Sequence, residues 1–169
     1  RKHLGIIASN YFGYPQNKLK IIGITGTNGK TTSSYILENI LEMTARIGTT
    51  GNRILDKEFP ADNTTPESLE LIKLINESVI KGVKYFIMEV SSHALEIGRV
   101  NGLCFDSAIF TNLSQDHLDF HGTMENYFNA KRKIFSMMRD GRTGVINIDD
   151  EYGNKSYNEG REKYISVSI

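Results

Sequence analysis

A glycine-rich segment between a predicted strand and a predicted helix constrains the fold of this 169-residue chain more than any other feature. The strand is Lys20–Thr25, which is rich in β-branched residues. The segment Gly26-Thr27-Asn28-Gly29-Lys30-Thr31-Thr32 follows it directly. Helical spacing then covers residues 31–43, with an inner face formed by Ile36, Leu37, Ile40 and Leu41. A strand, such a loop and a helix in this order are the context that a nucleotide phosphate loop requires.

The residue types of this loop suit phosphate binding. Glycines let backbone N–H groups close around phosphate oxygens, and the helix N-terminus adds the positive end of its dipole. Lys30 would contact the β and γ phosphates of ATP, and the Thr31 hydroxyl would ligate Mg²⁺. The general pattern has a further glycine where this chain has Ile24. A glycine-rich turn with an incidental lysine is therefore the alternative interpretation.

The rest of the chain alternates predicted strands with predicted helices. Apolar runs predict strands at residues 83–90, 105–110, 144–148 and 164–169, and one or two short strands within 46–55 around a Gly51-Asn52 turn. Helical spacing covers residues 1–12, with Leu4, Ile7, Ala8 and Tyr11 on one face. It also covers residues 66–81 and 124–138, with Thr65 and Thr123 as caps.

Several of these strands are apolar on both faces, which is typical of a buried parallel sheet. The sequence therefore predicts a three-layer α/β fold of the P-loop type, with a mostly parallel sheet and helices on both faces. Lys plus Arg equals Asp plus Glu, at 20 each, so no excess charge favours nucleic acid or a membrane surface as a partner. Cys104, the single cysteine, excludes an internal disulfide and is interpreted as a core residue.

Polar residues are concentrated where predicted strands end, which is where open α/β sheets bind ligands. Glu89 ends one apolar strand, so we interpret it either as a Mg²⁺ ligand or as a solvated acid. His117 and His121 have the spacing of a transition-metal pair, but no third ligand accompanies them. Such a pair more often consists of hydrogen-bonding or surface residues, and a contact with Mg²⁺ or phosphate is the better functional interpretation for one of them. Lys131 by itself is interpreted as a solvated surface lysine.

Several segments resemble the Mur ligases. Residues 23–32, 88–95 and 111–119 resemble motifs of the whole family. Residues 63–66, 98–100 and 121–125 resemble the MurE type, which adds the third residue to UDP-N-acetylmuramoyl-L-alanyl-D-glutamate. The likeness covers essentially the whole chain, and the motifs occur in the same order.

The resemblance implies that residues 1–169 are the central ATP-binding domain of a three-domain, monomeric bacterial cytoplasmic enzyme. Both ends of the chain look cut, and the domains that hold the uridine nucleotide and receive the amino acid are absent. The implied reaction is ATP-driven amide-bond formation through an acyl phosphate, in peptidoglycan precursor synthesis. Whether L-lysine or meso-diaminopimelate is added stays open.

The resemblance also assigns individual residues. Gly26 to Thr32 would bind the ATP phosphates, with Asn112 and Asp116 in the surroundings of nucleotide and metal. The muramoyl dipeptide would be contacted by Asn63, Thr64, Thr65, Ser91 and Arg99, although Ile97 replaces a residue that is often polar in the family. Thr31 and Glu89 would hold one Mg²⁺, and His117 would help to hold a second. Lys131 would carry a carbamate that ligates Mg²⁺, so the catalytic set would be Lys30, Glu89, His117 and Lys131.

Three alternatives remain at this point. A GTPase or small kinase is supported by Asp119-Phe120-His121-Gly122, but Asn17-Lys18-Leu19-Lys20 fails as a guanine-binding motif at its last position. A non-catalytic nucleotide-binding module is the second alternative. The third is a sister ligase such as cyanophycin synthetase or folylpolyglutamate synthase, against which the segments 91–95 and 116–122 argue.

Overall fold

The computed structural model of the protein describes residues 3–160 and 163–168. Its helices are α1 Leu4–Tyr11, α2 Lys30–Ile40, α3 Ser68–Ile80, α4 Ser92–Ile97, α5 Leu118–His121, α6 Met124–Ser136 and α7 Glu151–Glu159. Its strands are β1 Lys20–Thr25, β2 Thr44–Gly48, β3 Gly51–Ile54, β4 Lys57–Phe59, β5 Tyr85–Glu89, β6 Ser107–Phe110, β7 Gly144–Asn147 and β8 Tyr164–Val167. None of the described helices is long and apolar enough to cross a membrane.

The eight strands form one sheet in the order β4-β3-β2-β5-β1-β6-β7-β8. Every pair from β2 to β8 across the sheet is parallel, and only β3 and β4 run antiparallel to their neighbours. Helices pack on this sheet, with both α2 and α6 against the central strand β1. The predicted fold class, a mostly parallel α/β sheet with covering helices, is confirmed.

Close packing against β1 explains one glycine inside that strand. A Cβ at Gly23 would meet the Phe105 ring at 2.6 Å and the Ile134 side chain at 2.9 Å. Phe105 and Ile134 are both fully buried. The absence of a side chain at Gly23 therefore brings α6 close to the middle of the sheet.

The inner face predicted for α2 is wrong. Ile36 and Ile40 are 53% and 72% exposed, whereas the buried residues of the helix are Ser34 and Glu38. Glu38 Oε2 accepts a hydrogen bond of 3.0 Å from Arg46 Nε in the neighbouring strand. The buried face of α2 therefore carries one partner of an ion pair and not the apolar residues that the pattern predicted there.

The face predicted for α1 and the interpretation of Cys104 are also wrong. Of the four apolar residues predicted on one face of α1, only Ala8 is buried, and Tyr11 is 82% exposed. Cys104 is exposed instead of filling the core.

Three local details of the strands and caps differ from prediction. The turn between β2 and β3 is formed by Thr49 and Thr50, so Gly51 already belongs to β3. Strand β4 was not predicted. Thr65 does not cap α3, because that helix begins at Ser68 and its N-cap residue is Glu67. Thr123 caps α6 as predicted, since its side chain accepts a hydrogen bond from the Asn126 N–H.

The buried pair generates a stability prediction. The Arg46 and Glu38 side chains are 3% and 5% exposed, so Arg46→Met would leave a buried carboxylate whose remaining ion pair is the longer contact with Arg53, at 3.7 Å. We expect a loss of about 3 kcal/mol in the free energy of unfolding, measured by urea denaturation. The double variant Glu38→Leu/Arg46→Met should recover most of that loss.

An exposed pair provides the control. Lys81 and Glu77 form an ion pair on α3 with side chains 33% and 45% exposed, and Lys81→Met should change stability by less than about 1 kcal/mol. Equal effects of Arg46→Met and Lys81→Met would contradict the importance given to the buried pair.

Candidate active site

The glycine-rich loop connects β1 to α2, as predicted. Gly26 has a φ of 145° and Gly29 a φ of 85°, both in the region that favours glycine. A Cβ on Gly26 would overlap the Thr111 hydroxyl. Glycine at this position therefore lets the loop lie against the segment that follows β6.

Hydrogen bonds fix the back of the loop to that segment. The Thr27 N–H donates to the Asn112 carbonyl at 2.9 Å, and the Asn28 N–H donates to Asn112 Oδ1 at 3.0 Å. Asn112 Nδ2 and Thr111 Oγ1 both donate to the Asn28 carbonyl, at 3.2 Å and 2.6 Å. Both ends of the Asn112 amide thus hold the loop, which is the contribution of this residue to the site in the structure.

Two lysine side chains converge on one carbonyl of the loop. Lys30 Nζ donates to the Gly26 carbonyl at 2.9 Å and to the Thr27 carbonyl at 2.8 Å. Lys131 Nζ donates to the same Gly26 carbonyl at 2.7 Å. Burial lowers the pKa of Lys30, and the negative charges of Glu89 and Asp116 oppose that shift. Two amines therefore meet at the place where the loop would bind phosphate.

Lys131 is buried, so its interpretation as a surface lysine is wrong. Its side chain projects from the inner face of α6, the residue is 2% exposed, and Nζ lies 4.6 Å from the centre of the Tyr127 ring. Burial and, to a smaller extent, the positive charge of the nearby Lys30 together lower its pKa to about 7, although Asp116 opposes the shift. A large fraction of this amine is thus uncharged near neutral pH.

Glu89 lies at the carboxyl end of β5 and is fully buried, which excludes its interpretation as a solvated acid. Its Oε2 accepts a hydrogen bond from Thr49 Oγ1 at 2.9 Å, and its Oε1 accepts one from the Thr49 N–H at 3.3 Å. A Cβ on Gly48 would overlap Oε1, so glycine there makes room for the carboxylate. An ionised carboxylate has more acceptor capacity than these two bonds use, as a site for a hard cation requires.

His117 belongs to a cluster of aromatic rings beside the loop. It has a φ of 51°, and its ring lies 5.0 Å from that of His93 and 5.9 Å from that of Tyr127, centre to centre. His117 precedes α5 while His121 ends it, and His121 Nε2 is paired with Ser92 Oγ at 3.0 Å. Among residues 3–160 and 163–168, no group of three or more His, Cys, Asp or Glu is arranged to hold a metal. The structure therefore gives no support to a transition-metal pair.

The five candidate substrate residues surround the end of β5. Thr65 is fully buried, and its Oγ1 donates to the Glu89 carbonyl at 2.9 Å and accepts from the Ser91 N–H at 3.0 Å. Arg99 Nη1 donates to the Thr65 carbonyl at 3.1 Å. The Ser91 side chain accepts from the Ala94 N–H at 3.2 Å and caps α4.

Burial divides these residues into two kinds. Thr65 is fully buried and connects its own segment to β5. Asn63 is exposed, and Thr64 and Ser91 are half-buried. The Thr64 hydroxyl lies 3.0 Å from that of Thr49. The structure thus brings all the candidate residues to one edge of the sheet and leaves only some of them accessible to a ligand.

Sequence reasoning missed four residues that shape this site. Gly48 and Thr49 position Glu89, Thr111 secures the loop, and Tyr127 contacts both Thr27 and Lys131. The signal for Tyr127 was its helical spacing from Lys131, four residues away on α6. Nothing local marked Thr49, because its partner Glu89 is 40 residues distant in the chain.

Comparison with known proteins agrees with this geometry. The chain matches the family described as Mur ligase middle domain over residues 24–169. A UDP-N-acetylmuramoyl-L-alanyl-D-glutamate--2,6-diaminopimelate ligase of Fusobacterium nucleatum subsp. nucleatum is 59% identical over 161 residues, which are 94% of this chain and 33% of that protein. The protein of the same name in Clostridium perfringens is 52% identical in an alignment of 173 positions, which covers 100% of this chain and 35% of that protein.

A solved structure gives the same result. A ligase described by the same name superimposes with a TM-score of 0.80 at 31% identity, covering 99% of this chain and 36% of that chain. The chain therefore spans about a third of the length of these relatives. Since the family match extends over most of the chain, this protein belongs to the Mur ligase family.

Proposed function

We propose that residues 1–169 are the central ATP-binding domain of a ligase that adds a diamino acid to UDP-N-acetylmuramoyl-L-alanyl-D-glutamate in peptidoglycan precursor synthesis. The observation that carries this proposal is the placement of Lys30, Lys131 and the buried Glu89 around one phosphate loop. The two curated relatives are both named as 2,6-diaminopimelate ligases, which favours that amine over L-lysine. In the proposed reaction the γ-phosphoryl group passes to the D-glutamyl carboxylate, and the amine then attacks the acyl phosphate and displaces phosphate.

The loop would bind ATP through residues 26–32. Because the N–H groups of Thr27 and Asn28 already donate to Asn112, the N–H groups at the start of α2 would supply the backbone donors for the phosphate oxygens. Lys30 now donates to two carbonyls of its own loop, and we infer that it moves from them to the β and γ phosphates when ATP binds. Phosphoryl transfer needs positioning and charge neutralisation more than a protein nucleophile, so a site without an activated serine or cysteine is suited to it.

Magnesium fits the donor set of the site. Thr31 is the second residue of α2, next to Lys30, and the buried carboxylate of Glu89 has unused acceptor capacity, so these two would hold one ion. His117 and a carbamate on Lys131 would help to hold a second. When bound, Mg²⁺ would neutralise charge on the phosphates.

The pKa of Lys131 supports a carbamate on this residue. Because burial lowers that pKa to about 7, the neutral amine needed to attack CO₂ is well populated near neutral pH. The nitrogen lone pair would form a bond to the carbon of CO₂, one C–O π pair would move onto oxygen, and the nitrogen would release a proton. The product is an anion, so a buried hydrogen-bond donor would become an acceptor and a cation ligand.

The dipeptide substrate would lie at the end of β5, against Asn63, Thr64, Ser91 and Arg99, with Thr65 holding their segment in place. Arg99 is the cation of this group, and its Nε lies 2.9 Å from Glu67 Oε1. Ile97, two residues before Arg99, leaves an apolar position where the family often has a polar contact.

Intact mass tests the carbamate. In the full-length ligase kept in bicarbonate with Mg²⁺ and ATP, we expect an added mass of one CO₂, and ¹³C-bicarbonate should give a carbamate signal in NMR. Lys131→Met should lose this signal and reduce turnover by a factor of about 100 or more, whereas Lys133→Met on the exposed side of α6 should keep both. A carbamate signal that survives in Lys131→Met would place the modification on another residue.

The lowered pKa of Lys131 also predicts that the free energy of unfolding depends on pH. Its pKa is about 7 when folded and has the ordinary value of 10.5 when unfolded, so unfolding takes up a proton between these pH values. In carbonate-free buffer, Lys131 should therefore make the free energy of unfolding rise with pH across this window. Urea denaturation at several pH values should show a smaller rise for Lys131→Met, and identical slopes for the two proteins would contradict the lowered pKa.

A fragment that consists of residues 1–169 alone would test whether nucleotide binding can occur without ligation. We expect this fragment to fold and to bind ATP weakly without forming product, because the remaining two thirds of the relatives' length has no counterpart in it. Isothermal titration and a product assay would measure the two properties. GTP competing as well as ATP would favour a GTPase-like module, and robust turnover by the fragment would contradict the need for other domains.

A further inference from the structure

A chain of hydrogen bonds joins Glu89 to Thr64 through Thr49, a residue with no role in the proposal above. Thr49 Oγ1 lies 2.9 Å from Glu89 Oε2 and 3.0 Å from Thr64 Oγ1. The Thr49 N–H also donates to Glu89 Oε1 at 3.3 Å. One turn residue between β2 and β3 therefore contacts both carboxylate oxygens and a candidate substrate residue.

The chemistry of the groups sets the direction of this chain. An ionised carboxylate only accepts hydrogen bonds, and a hydroxyl has a single hydrogen to donate. Thr49 must therefore donate to Glu89, and Thr64 must donate to Thr49. The Thr64 oxygen then has only lone pairs left, so it can accept from an N–H or O–H group of a ligand but cannot donate to a carboxylate.

A hydrogen bond to the main chain of Glu89 also connects this residue to the segment 64–65. Thr65, next to Thr64, donates its hydroxyl hydrogen to the Glu89 carbonyl at 2.9 Å. Gly48, next to Thr49, leaves the space that the Glu89 carboxylate occupies. The side chain and the main chain of Glu89 are thus both tied to the segment 64–65, and a change at the carboxylate has a short path to that segment.

We propose that Thr49 is a positioning residue that couples cation binding at Glu89 to muramoyl-peptide binding at Thr64, with Thr64 as an acceptor for a substrate N–H or O–H. This inference rests on the proposed function. A cation held by Glu89 fixes the carboxylate, the carboxylate fixes the Thr49 hydroxyl, and the Thr64 lone pairs are then oriented toward the substrate. Cation and substrate therefore strengthen each other's binding.

The test compares three variants of the full-length ligase. Thr49→Val keeps the shape of the side chain and removes the hydroxyl, whereas Thr49→Ser keeps the hydroxyl. Thr50→Val is the matched control, because Thr50 lies in the same turn but its hydroxyl pairs with the Tyr35 hydroxyl at 3.2 Å. Thermal melting checks that each variant folds.

Three binding constants are measured for each protein, with a non-hydrolysable ATP analogue present. They are the Kd of UDP-N-acetylmuramoyl-L-alanyl-D-glutamate with and without Mn²⁺, and the Kd of Mn²⁺ by electron paramagnetic resonance. In the unsubstituted ligase, Thr49→Ser and Thr50→Val, we expect Mn²⁺ to tighten substrate binding about fivefold or more. In Thr49→Val that ratio should fall close to one, while the substrate Kd without Mn²⁺ changes little.

The outcomes separate the two levels of the proposal. Coupling that persists in Thr49→Val, or substrate binding that weakens equally with and without Mn²⁺, would overturn the role of Thr49. The same holds if the unsubstituted ligase binds substrate without any effect of Mn²⁺. Failure of that protein to bind the UDP-linked dipeptide under any condition would overturn the proposed function and this inference with it. If Thr49→Val fails to fold, Thr64→Val is tested instead, because it removes the hydrogen bond between Thr64 and Thr49. The effect of Mn²⁺ on substrate binding must then be lost in Thr64→Val.

Discussion

Parallel pairing of β1 with both β5 and β6 determines where every candidate site residue lies. Ile24 is in register with Glu89, and Thr25 is in register with Phe110. The phosphate loop, the buried acid and the segment with Thr111 and Asn112 therefore leave the sheet at the same level. Asn28 and Thr111, which are 83 positions apart in the chain, therefore meet there, as do Thr49 and Glu89, which are 40 apart.

Once the strand ends are aligned, the site depends on small residues that allow close approach. The Thr111 hydroxyl lies against Gly26, and the Glu89 carboxylate lies against Gly48. Neither contact leaves space for a Cβ on the glycine. Gly23 has the same effect inside β1, where it lets Phe105 and α6 lie against the sheet. Lys131, which projects from α6, reaches the Gly26 carbonyl because its helix packs this closely.

The sequence predicted the features that depend on local pattern and missed those that depend on distant partners. Strand β1 and the cap at Thr123 were predicted because β-branched runs and cap residues act within a few positions. The prediction of the buried face of α2 was wrong. The buried residue Glu38 of this helix is stabilised by Arg46 of β2, a partner that the local pattern does not reveal. The burial of Lys131 could not be predicted from its charged neighbours, and only the resemblance to a family drew attention to it. Thr49 had neither kind of signal.

The balance of donors and acceptors around Gly26 explains why the site suits an anionic ligand. Lys30 and Lys131 share the Gly26 carbonyl, so two amines donate to one oxygen of the loop. Phosphate oxygens would give Lys30 better acceptors than the carbonyls it now contacts. A carbamate on Lys131 would retain a single N–H and would add carboxylate oxygens, which accept hydrogen bonds and can bind a cation. Phosphate binding by Lys30 and a carbamate on Lys131 would therefore both reduce the number of N–H donors that compete for the Gly26 carbonyl.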